Sequence, residues 1–284
     1  MDLKSHPCFS TQCQPTSGRI HLPVAPRCNI FCRFCARGIS KSLDLPGVTQ
    51  KIVSPDEALS VMDLAISLCP EIRVAGVAGP GDPLAGPESL DTLELIKSHY
   101  PQIIACLSTN GLNLEASMER LLLAGVGTLT VTVNAIDPLI LAKINRGVLV
   151  NNNFIGGTSG QEILIEAQER GIKLAHKNSM IIKINSVLIP GINDKHIPTI
   201  ARIAKEWGAD ILNIIPLIPA YELSHIKAPT KEEYASVAEK ALKYLKVKMN
   251  CRRCRADACG IPGVSDYAKD IYGALGHEET FSHG

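Results

Sequence analysis

Short apolar runs alternate with amphipathic segments along most of the chain. Two clear runs are residues 72–78 (IRVAGVA) and 181–188 (IIKINSVL). Strands that are apolar on both faces are typical of a parallel sheet covered by helices. The chain has about six such strand–helix units, too few for a closed eight-unit barrel of about 250 residues. The pattern therefore predicts an α/β fold, an open partial (β/α)6 barrel with its site at the carboxyl ends of the strands.

The same periodicity predicts the individual elements. Strands are predicted at residues 19–25, 72–78, 103–108, 128–134, 181–188 and 211–215. Helices are predicted at residues 54–69, 87–99, 114–123, 138–144 and 161–170, with a last helix opening at the capping box 230–233. Residues 148–160 are rich in Gly and Asn, and they predict a mobile loop that is either a lid or a surface connection.

Charge and hydropathy limit the possible partners. The chain of 284 residues has 29 Lys and Arg against 28 Asp and Glu, so it lacks the charge excess that nucleic acid or an anionic membrane would attract. No run approaches the roughly 20 apolar residues of a membrane span, and the N-terminus lacks the apolar centre of a signal peptide. These features predict a cytoplasmic protein with a small or protein partner.

Ten cysteines are unusual for such a protein. A reducing compartment disfavours disulfides, so metal ligation or catalysis is the better interpretation. Most of them lie near the two ends of the chain: Cys8, Cys13, Cys28, Cys32, Cys35, Cys251, Cys254 and Cys259. Cys69, at the end of the first predicted helix, is interpreted as a buried structural residue.

Residues 28–35 (CNIFCRFC) form a C-x-x-x-C-x-x-C motif directly after the first predicted strand. Cys28, Cys32 and Cys35 can hold three irons of a four-iron four-sulfur cluster, which leaves the fourth iron without a protein ligand. That iron can chelate S-adenosylmethionine, whose reductive cleavage gives a 5′-deoxyadenosyl radical. The alternatives are a zinc loop or buried structural cysteines, but zinc usually takes a fourth nearby Cys or His.

Further motifs extend the pattern over nearly the whole chain. They are residues 6–9 (HPCF), 19–21 (RIH), 24–30 (VAPRCNI), 46–48 (PGV), 78–85 (AGPGDPLA), 108–112 (STNGL), 189–194 (IPGIND) and 251–258 (CRRCRADA). With these motifs the sequence resembles the radical S-adenosylmethionine superfamily, and more closely the NifB family, which builds the iron–sulfur precursor of the nitrogenase cofactor. The C-x-x-C-R-A-D tail is the most discriminating of them.

The resemblance implies a short, stand-alone form with three parts. These are a cluster-binding extension at 1–18, a radical core at 19–246 and a cluster-binding tail at 247–284. It implies an enzyme that fuses two further four-iron clusters around a carbon atom taken from the methyl group of S-adenosylmethionine. The implied partners are an iron–sulfur cluster donor, a carrier or scaffold protein of nitrogenase maturation and an electron donor such as ferredoxin, and the chain is expected to be a monomer.

The resemblance also implies which side chains bind the accessory clusters. It assigns His21 and Cys106 to one cluster and Cys251 and Cys254 to the other, and the third ligand of each stays open. One departure bears on this assignment: residues 38–45 lack the cysteine that the family carries there. Either Cys8 or Cys13 replaces it, or one cluster is assembled differently, or the chain belongs to a neighbouring family. Cys259 is a further compensating candidate.

Loops at the strand ends are expected to bind S-adenosylmethionine. Gly79, Gly81 and Asp82 suit its methionine amino group, although a tight turn also explains the glycines. Ser108, Thr109, Asn110 and Asn134 suit the carboxylate and the ribose, and Ile189 and Ile192 suit the adenine.

Two other functions compete with cluster building. The first is a radical enzyme acting on a peptide or small metabolite with auxiliary clusters, which the missing cysteine favours and the tail opposes. The second is a non-catalytic iron–sulfur scaffold or electron carrier, which would not need cofactor loops at successive strand ends.

Overall fold

A computed structural model describes residues 6–9, 16–35, 37–40, 43–248, 251, 254–273 and the backbone of 279–280. Its strands are β1 Gly18–His21, β2 Ile30–Cys32, β3 Gly38–Ile39, β4 Val48–Thr49, β5 Ile72–Val77, β6 Ile104–Thr109, β7 Val126–Thr132, β8 Asn145–Val150, β9 Asn153–Gly156, β10 Ile181–Leu188, β11 Ile211–Pro216, β12 Lys246–Val247, β13 Cys259–Gly260 and β14 Glu279–Thr280. Its helices are α1 Pro55–Leu68, α2 Glu88–His99, α3 Met118–Leu123, α4 Pro138–Leu141, α5 Gly157–Lys177, α6 Ile197–Trp207, α7 Lys231–Leu242 and α8 Ala268–Tyr272.

One sheet of eight strands organises the described part of the chain. The strand order is β12-β11-β10-β7-β6-β5-β1-β13. The six strands from β1 to β11 in this order are all parallel to their neighbours, as are β11 and β12, whereas β13 runs antiparallel to β1. The predicted α/β fold with six parallel strands of the barrel type is therefore confirmed.

The two faces of these strands differ in chemistry because successive side chains point to opposite sides of a sheet. One face packs against the helices and belongs to the main hydrophobic core: Ile20, Ala75, Ala105, Leu129, Ile182 and Leu212. The alternate positions line two cavities on the other face: Arg19, His21, Val74, Gly76, Cys106, Ser108, Thr130, Thr132, Lys183, Asn185, Asn213 and Ile215. The interior face therefore carries almost all of the polar groups.

Helix α1 agrees with its prediction, whereas α3 and α4 are shorter than the predicted 114–123 and 138–144. α1 has the predicted capping box, in which the Ser54 side chain accepts a hydrogen bond from the Glu57 backbone N–H and the Glu57 carboxylate accepts one from the Ser54 backbone N–H. α6 was not predicted, although Pro198 in its first turn and Gly208 at its C-cap mark both ends. α5 extends well beyond the predicted 161–170 at both ends.

The prediction of a mobile loop at 148–160 is wrong. β8 and β9 form an antiparallel hairpin there, and its turn residues Asn151 and Asn152 have φ values of 50° and 62°. Asn tolerates this left-handed backbone, so the Asn pair that suggested a loop closes a tight turn. β8 also pairs with β2, and the ring of Phe154 packs edge-on against that of Phe31 at 5.2 Å. The hairpin thus supports the cysteine loop.

The C-terminal residues 254–273 pack onto the first strand. Cys259 pairs with Ile20, and the hydroxyl of Tyr272 donates a hydrogen bond to the carbonyl of His21 at 2.8 Å. The Asp257 carboxylate is fully buried and accepts a hydrogen bond from the backbone N–H of Gln50 at 2.6 Å. The tail therefore shares the core of the sheet, and a boundary at 246/247 stays a prediction. None of the helices in the described part of the chain has the length and apolar character of a membrane span.

The loop after β5 touches the start of the cysteine loop. The backbone N–H of Gly81 donates to the Ala25 carbonyl at 2.6 Å, and that of Asp82 donates to the Arg27 carbonyl at 2.7 Å. A Cβ atom on Gly81 would lie 1.9 Å from the Arg27 oxygen. Only glycine permits this close approach, which fixes the segment that leads into Cys28.

We expect Gly81→Ala to lower the free energy of unfolding of the iron-free protein by about 3 kcal/mol, because backbone must move to relieve the overlap. The control is Gly191→Ala, where a Cβ meets nothing within 4 Å and only the φ of +74° adds a cost of about 1 kcal/mol. Denaturant unfolding of both variants measures the difference. Equal destabilisation by the two substitutions would contradict the close-contact explanation.

Candidate functional site

Two adjoining cavities occupy the interior face of the sheet. The first, of about 260 Å3, lies beside the cysteine loop, and the second, of about 290 Å3, lies towards the chain termini. They share one wall, formed by Pro46, Ala78, Ser108, Asn185, Ile215 and Pro216. A reactive group generated in the first cavity would therefore arise next to whatever the second cavity holds.

The first cavity gathers Cys28, Cys32 and Cys35, as the sequence motif predicts. Neighbouring amides hold their loop in place. The Asn110 side-chain NH2 donates to the Asn29 side-chain oxygen at 2.7 Å, and the Phe31 backbone N–H donates to the Asn145 side-chain oxygen at 2.9 Å. The loop is thus fixed by one side chain from the residue that follows β6 and one from the first residue of β8.

The chemistry of these thiols fits an iron–sulfur cluster. Burial raises the pKa of Cys28 to about 12 and that of Cys32 well above its usual range, although the Arg37 guanidinium opposes both shifts. Such thiols deprotonate only when a cation such as iron replaces the proton. Among the described residues no three His, Cys, Asp or Glu converge on a single metal ion. A cubane differs, because each thiolate binds a different iron.

Asp82 connects the two loops beside the cluster motif. Its buried carboxylate accepts hydrogen bonds from the Asn110 backbone N–H at 2.5 Å, the Leu84 backbone N–H at 2.9 Å and the Thr109 hydroxyl at 3.0 Å. Burial raises its pKa, and these hydrogen bonds act in the opposite direction. Asp82 therefore orders the edge of the first cavity as well as lining it.

The structure places the predicted cofactor-binding residues in two groups. Five line the first cavity: Gly81, Asp82, Ser108, Thr109 and Asn110. Four do not line it: Gly79, Asn134, Ile189 and Ile192.

Two of the residues outside the first cavity have structural roles, one through its backbone conformation and one through a hydrogen bond. Gly79 has a φ of +136°, a conformation that side chains rarely adopt. The side-chain oxygen of Asn134 accepts a hydrogen bond from the Val187 backbone N–H. The apolar wall comes from Val187, Ile215 and Ile218 rather than from residues 189–192.

The second cavity brings together residues from both ends of the chain. The predicted accessory ligands that line it are Cys8, His21, Cys106, Cys251 and Cys254. Cys13 lies outside the described residues. Cys259 is fully buried in the main hydrophobic core and does not line either cavity, so the structure does not bring it to the other cysteines.

The hydrogen bonds of His21 leave one ring nitrogen available. Its Nδ1 lies 3.1 Å from the Arg255 carbonyl oxygen, which can only accept, so Nδ1 carries the proton and Nε2 keeps its lone pair. Burial, reinforced by the Arg19 charge, lowers the pKa of His21 to about 4, so the ring is neutral above that pH. A histidine that donates one N–H to a carbonyl is oriented as metal-ligating histidines generally are.

His6 has the opposite tautomer, and it was not predicted to be a site residue although it lies in the motif at residues 6–9. Its Nδ1 accepts a hydrogen bond from the Cys8 backbone N–H at 3.1 Å, so the proton lies on Nε2. That nitrogen is buried and has no hydrogen-bond partner among the described residues. Burial, with a smaller contribution from the Lys183 charge, lowers the pKa of His6 to about 3. His6 therefore presents an N–H donor to the second cavity, not a lone pair.

Other cavity residues were also missed at the level of sequence, among them Thr132, Lys183, Asn185 and Asn213. A signal for two of them exists in the pattern of β10. Lys183 and Asn185 are polar residues at alternate positions of an otherwise largely apolar strand. Alternate positions share a face, so they belong to the same interior surface.

Comparison with known proteins identifies the family of the chain. The profile of the radical SAM superfamily matches residues 22–204. The FeMo cofactor biosynthesis protein NifB of Methanocaldococcus jannaschii is 46% identical over 260 residues, covering 91% of this chain and 86% of the relative. The protein of the same name from Methanocaldococcus infernus is 43% identical over 272 residues, covering 95% of this chain and 90% of the relative.

A solved structure supports the fold independently. The crystal structure of Streptococcus suis SuiB matches with a TM-score of 0.56 and 14% sequence identity. The match covers 79% of this chain and 47% of that one, so this chain spans about half of SuiB, and the likeness concerns the fold alone. The identity and coverage of the two archaeal relatives establish that the chain belongs to the NifB family within the radical S-adenosylmethionine superfamily.

Proposed function

We propose that this chain builds the iron–sulfur precursor of the nitrogenase cofactor by joining two four-iron clusters around a carbon atom from S-adenosylmethionine. The observation that carries the proposal is the shared wall between a cavity lined by the cysteine loop and a second cavity lined by four further cysteines and His21. The curated relatives named FeMo cofactor biosynthesis protein NifB support the same function.

Cys28, Cys32 and Cys35 would hold the resident cluster, and Ser108, Thr109 and Asn110 line the space beside it. When bound, this cluster supplies the electron that cleaves S-adenosylmethionine into methionine and a 5′-deoxyadenosyl radical. The polar side chains offer hydrogen bonds to the carboxylate and hydroxyl groups of S-adenosylmethionine. The apolar side chains of Val187, Ile215 and Ile218, which line the same cavity, would exclude water and so protect a reactive radical from side reactions.

The two four-iron clusters to be joined are substrates, so they must be both held and released. Cys251 and Cys254 would hold one of them, and His21 and Cys106 the other, with Cys8 available as a further ligand. A neutral imidazole carries no charge to the cluster, whereas a thiolate does. Breaking the bond between His21 and the cluster therefore loses less electrostatic attraction than breaking a bond to a thiolate would. This suits a cluster that has to leave for fusion.

The proposed chemistry has two steps. One S-adenosylmethionine transfers its methyl group to a cluster sulfide, forming a carbon–sulfur bond and releasing S-adenosylhomocysteine. A second supplies the 5′-deoxyadenosyl radical, which takes one hydrogen atom from that methyl group and becomes 5′-deoxyadenosine. Ser108 and Asn185 are the polar residues of the shared wall, where the methyl group would have to pass.

A radical enzyme that acts on a peptide or a small metabolite is the alternative. The absence of cysteine from residues 38–45 favours it, because an accessory cluster with fewer ligands could act as an electron relay instead of a substrate.

Cluster building also requires partner proteins, which are part of the main proposal. They are a cluster donor, a carrier of the product and a one-electron donor.

The proposal is tested by the fate of the methyl carbon. We expect that protein supplied with iron, sulfide, dithionite and 13C-methyl S-adenosylmethionine will yield a fused cluster whose paramagnetic state shows 13C hyperfine coupling. Unlabelled S-adenosylmethionine is the control. Formation of 5′-deoxyadenosine without any 13C in the iron–sulfur product would support the alternative and contradict cluster building.

Replacing Cys28, Cys32 and Cys35 together by alanine should abolish formation of 5′-deoxyadenosine and lower the iron content by about four per chain. The physical reason is that this loop provides all three thiols of the first cavity. A Cys69→Ala/Cys259→Ala protein is the matched control, since both of those cysteines are buried in the core. Retained cleavage in the triple variant, or lost cleavage in the control, would show that the loop is not the radical site.

His21→Ala should remove a nitrogen ligand of an accessory cluster. Pulsed electron paramagnetic resonance of the reduced protein, recorded without S-adenosylmethionine, should show a strongly coupled nitrogen that this substitution abolishes. His6→Ala should leave the coupling intact, because neither nitrogen of His6 has a lone pair available for iron. Its Nδ1 accepts a hydrogen bond from the Cys8 backbone N–H, and its Nε2 carries the proton. If the coupling survives His21→Ala, or disappears in His6→Ala instead, the assignment of the ligand to His21 is wrong.

A further inference from the structure

The second cavity contains a buried lysine that the proposed chemistry has not yet used. Lys183 lies on β10, is only 5% exposed and lines this cavity. Its ammonium donates a hydrogen bond to the Cys8 carbonyl at 3.3 Å and lies 4.8 Å from the centre of the Phe9 ring. One carbonyl and one ring face do not satisfy three N–H donors.

No carboxylate compensates this charge within the described part of the chain. Lys183 takes part in none of the salt bridges found there, and neither Asp nor Glu lines the second cavity. Lysine is almost never fully buried unless it is paired, because removing the ammonium from water without a counter-charge is costly. The arrangement therefore points to an anionic group in the cavity itself.

A second cation lines the same cavity. Arg19 is 7% exposed, and its Nη2 donates to the Cys254 sulfur at 3.3 Å while Nη1 donates to the Gly260 carbonyl at 2.7 Å. Its Nε is buried and has no hydrogen-bond partner among the described residues. Two cations and no carboxylate give the cavity a positive potential, which suits a polyanion.

We propose that Lys183 is a positioning residue for an accessory cluster, donating hydrogen bonds to its sulfides and compensating its negative charge. The inference rests on the proposed binding of clusters in the second cavity, and it adds a role for a residue that is not itself a ligand. A four-iron cluster held by thiolates is anionic, and hydrogen bonds to its sulfurs and nearby positive charge raise its reduction potential.

A purely structural role is the competing explanation. The hydrogen bond to the Cys8 carbonyl and the contact with the Phe9 ring could serve only to hold residues 6–9 against the sheet. The two roles predict opposite effects on the iron-free protein. If Lys183 is structural, its replacement destabilises the iron-free protein. If it is an unpaired buried charge, its replacement by an apolar residue of similar volume stabilises the iron-free protein.

The test uses the full chain with Lys183→Met and, as the control, Lys205→Met, an exposed lysine on α6. Three quantities are measured: the melting temperature of the iron-free protein, the iron content after reconstitution, and the midpoint potential of each cluster in a redox titration followed by electron paramagnetic resonance. Addition of S-adenosylmethionine identifies the radical cluster, because only its signal should shift.

We expect Lys183→Met to melt no lower than the wild type when iron-free. After reconstitution with iron and sulfide, Lys183→Met should differ from the wild type in one of two ways. Either it holds about four fewer irons, or the ratio of reduced to oxidised accessory cluster at a fixed potential is at least tenfold lower. The tenfold change corresponds to a midpoint about 59 mV more negative for a one-electron couple. Lys205→Met should match the wild type in all three measurements.

Two results would overturn the inference. One is unchanged iron content and midpoint potential of the accessory clusters in Lys183→Met, and the other is a lower melting temperature of the iron-free variant, which would show a structural role. If the wild-type chain holds accessory iron but never yields a fused cluster, the proposed function fails while the role of Lys183 is still decided by these measurements. If it holds no accessory iron at all, both fail.

Discussion

Main-chain hydrogen bonds fix the register of the six parallel strands β1, β5, β6, β7, β10 and β11, and the site depends on this register. In that register His21 lies opposite Gly76, and Gly76 lies opposite Cys106. A shift by one residue in any strand would exchange its core face for its cavity face. His21 and Cys106 are therefore positioned by the same pairing that buries the hydrophobic core, whereas the other proposed ligands lie on segments outside these six strands.

The chemistry of the two cavities follows from burial. Burial raises the pKa values of the Cys8 and Cys106 thiols and lowers that of His21, so these three groups are uncharged in the iron-free protein, beside the cations Arg19 and Lys183. Iron that binds such thiols displaces their protons. The sulfides of the proposed cluster would then supply the negative charge that compensates Arg19 and Lys183. An anionic iron–sulfur substrate, as we propose, would match this cavity, and the wall that it shares with the first cavity would bring that substrate close to the cysteine loop.

The parts of the site that sequence could predict are those with local signals. The spacing of Cys28, Cys32 and Cys35 identifies the loop, and the apolar run of β10 gives that strand its observed bounds. The ligands that come from distant parts of the chain, His21 and Cys254 among them, could be grouped only by resemblance to a family. Spacing carries no information on which of them share a cavity.

The failures have identifiable physical causes. The Asn-rich hairpin was interpreted as a loop because a two-residue turn in left-handed backbone has the same composition. Cys259 has the same type of side chain as the cavity cysteines, but its pairing with Ile20 places it in the hydrophobic core. Lys183 was missed because a lone lysine in an apolar strand becomes informative only when the face it shares with Asn185 is known.

The central claim is that the chain holds one resident cluster and two substrate clusters side by side. The most direct test is the iron and acid-labile sulfide content of the wild-type protein, purified without oxygen and reconstituted, with Mössbauer spectroscopy to establish the cluster type. We expect about twelve irons and twelve sulfides per chain, all in four-iron clusters. A content of about four irons, removed entirely by replacing the thiols of the cysteine loop, would contradict it.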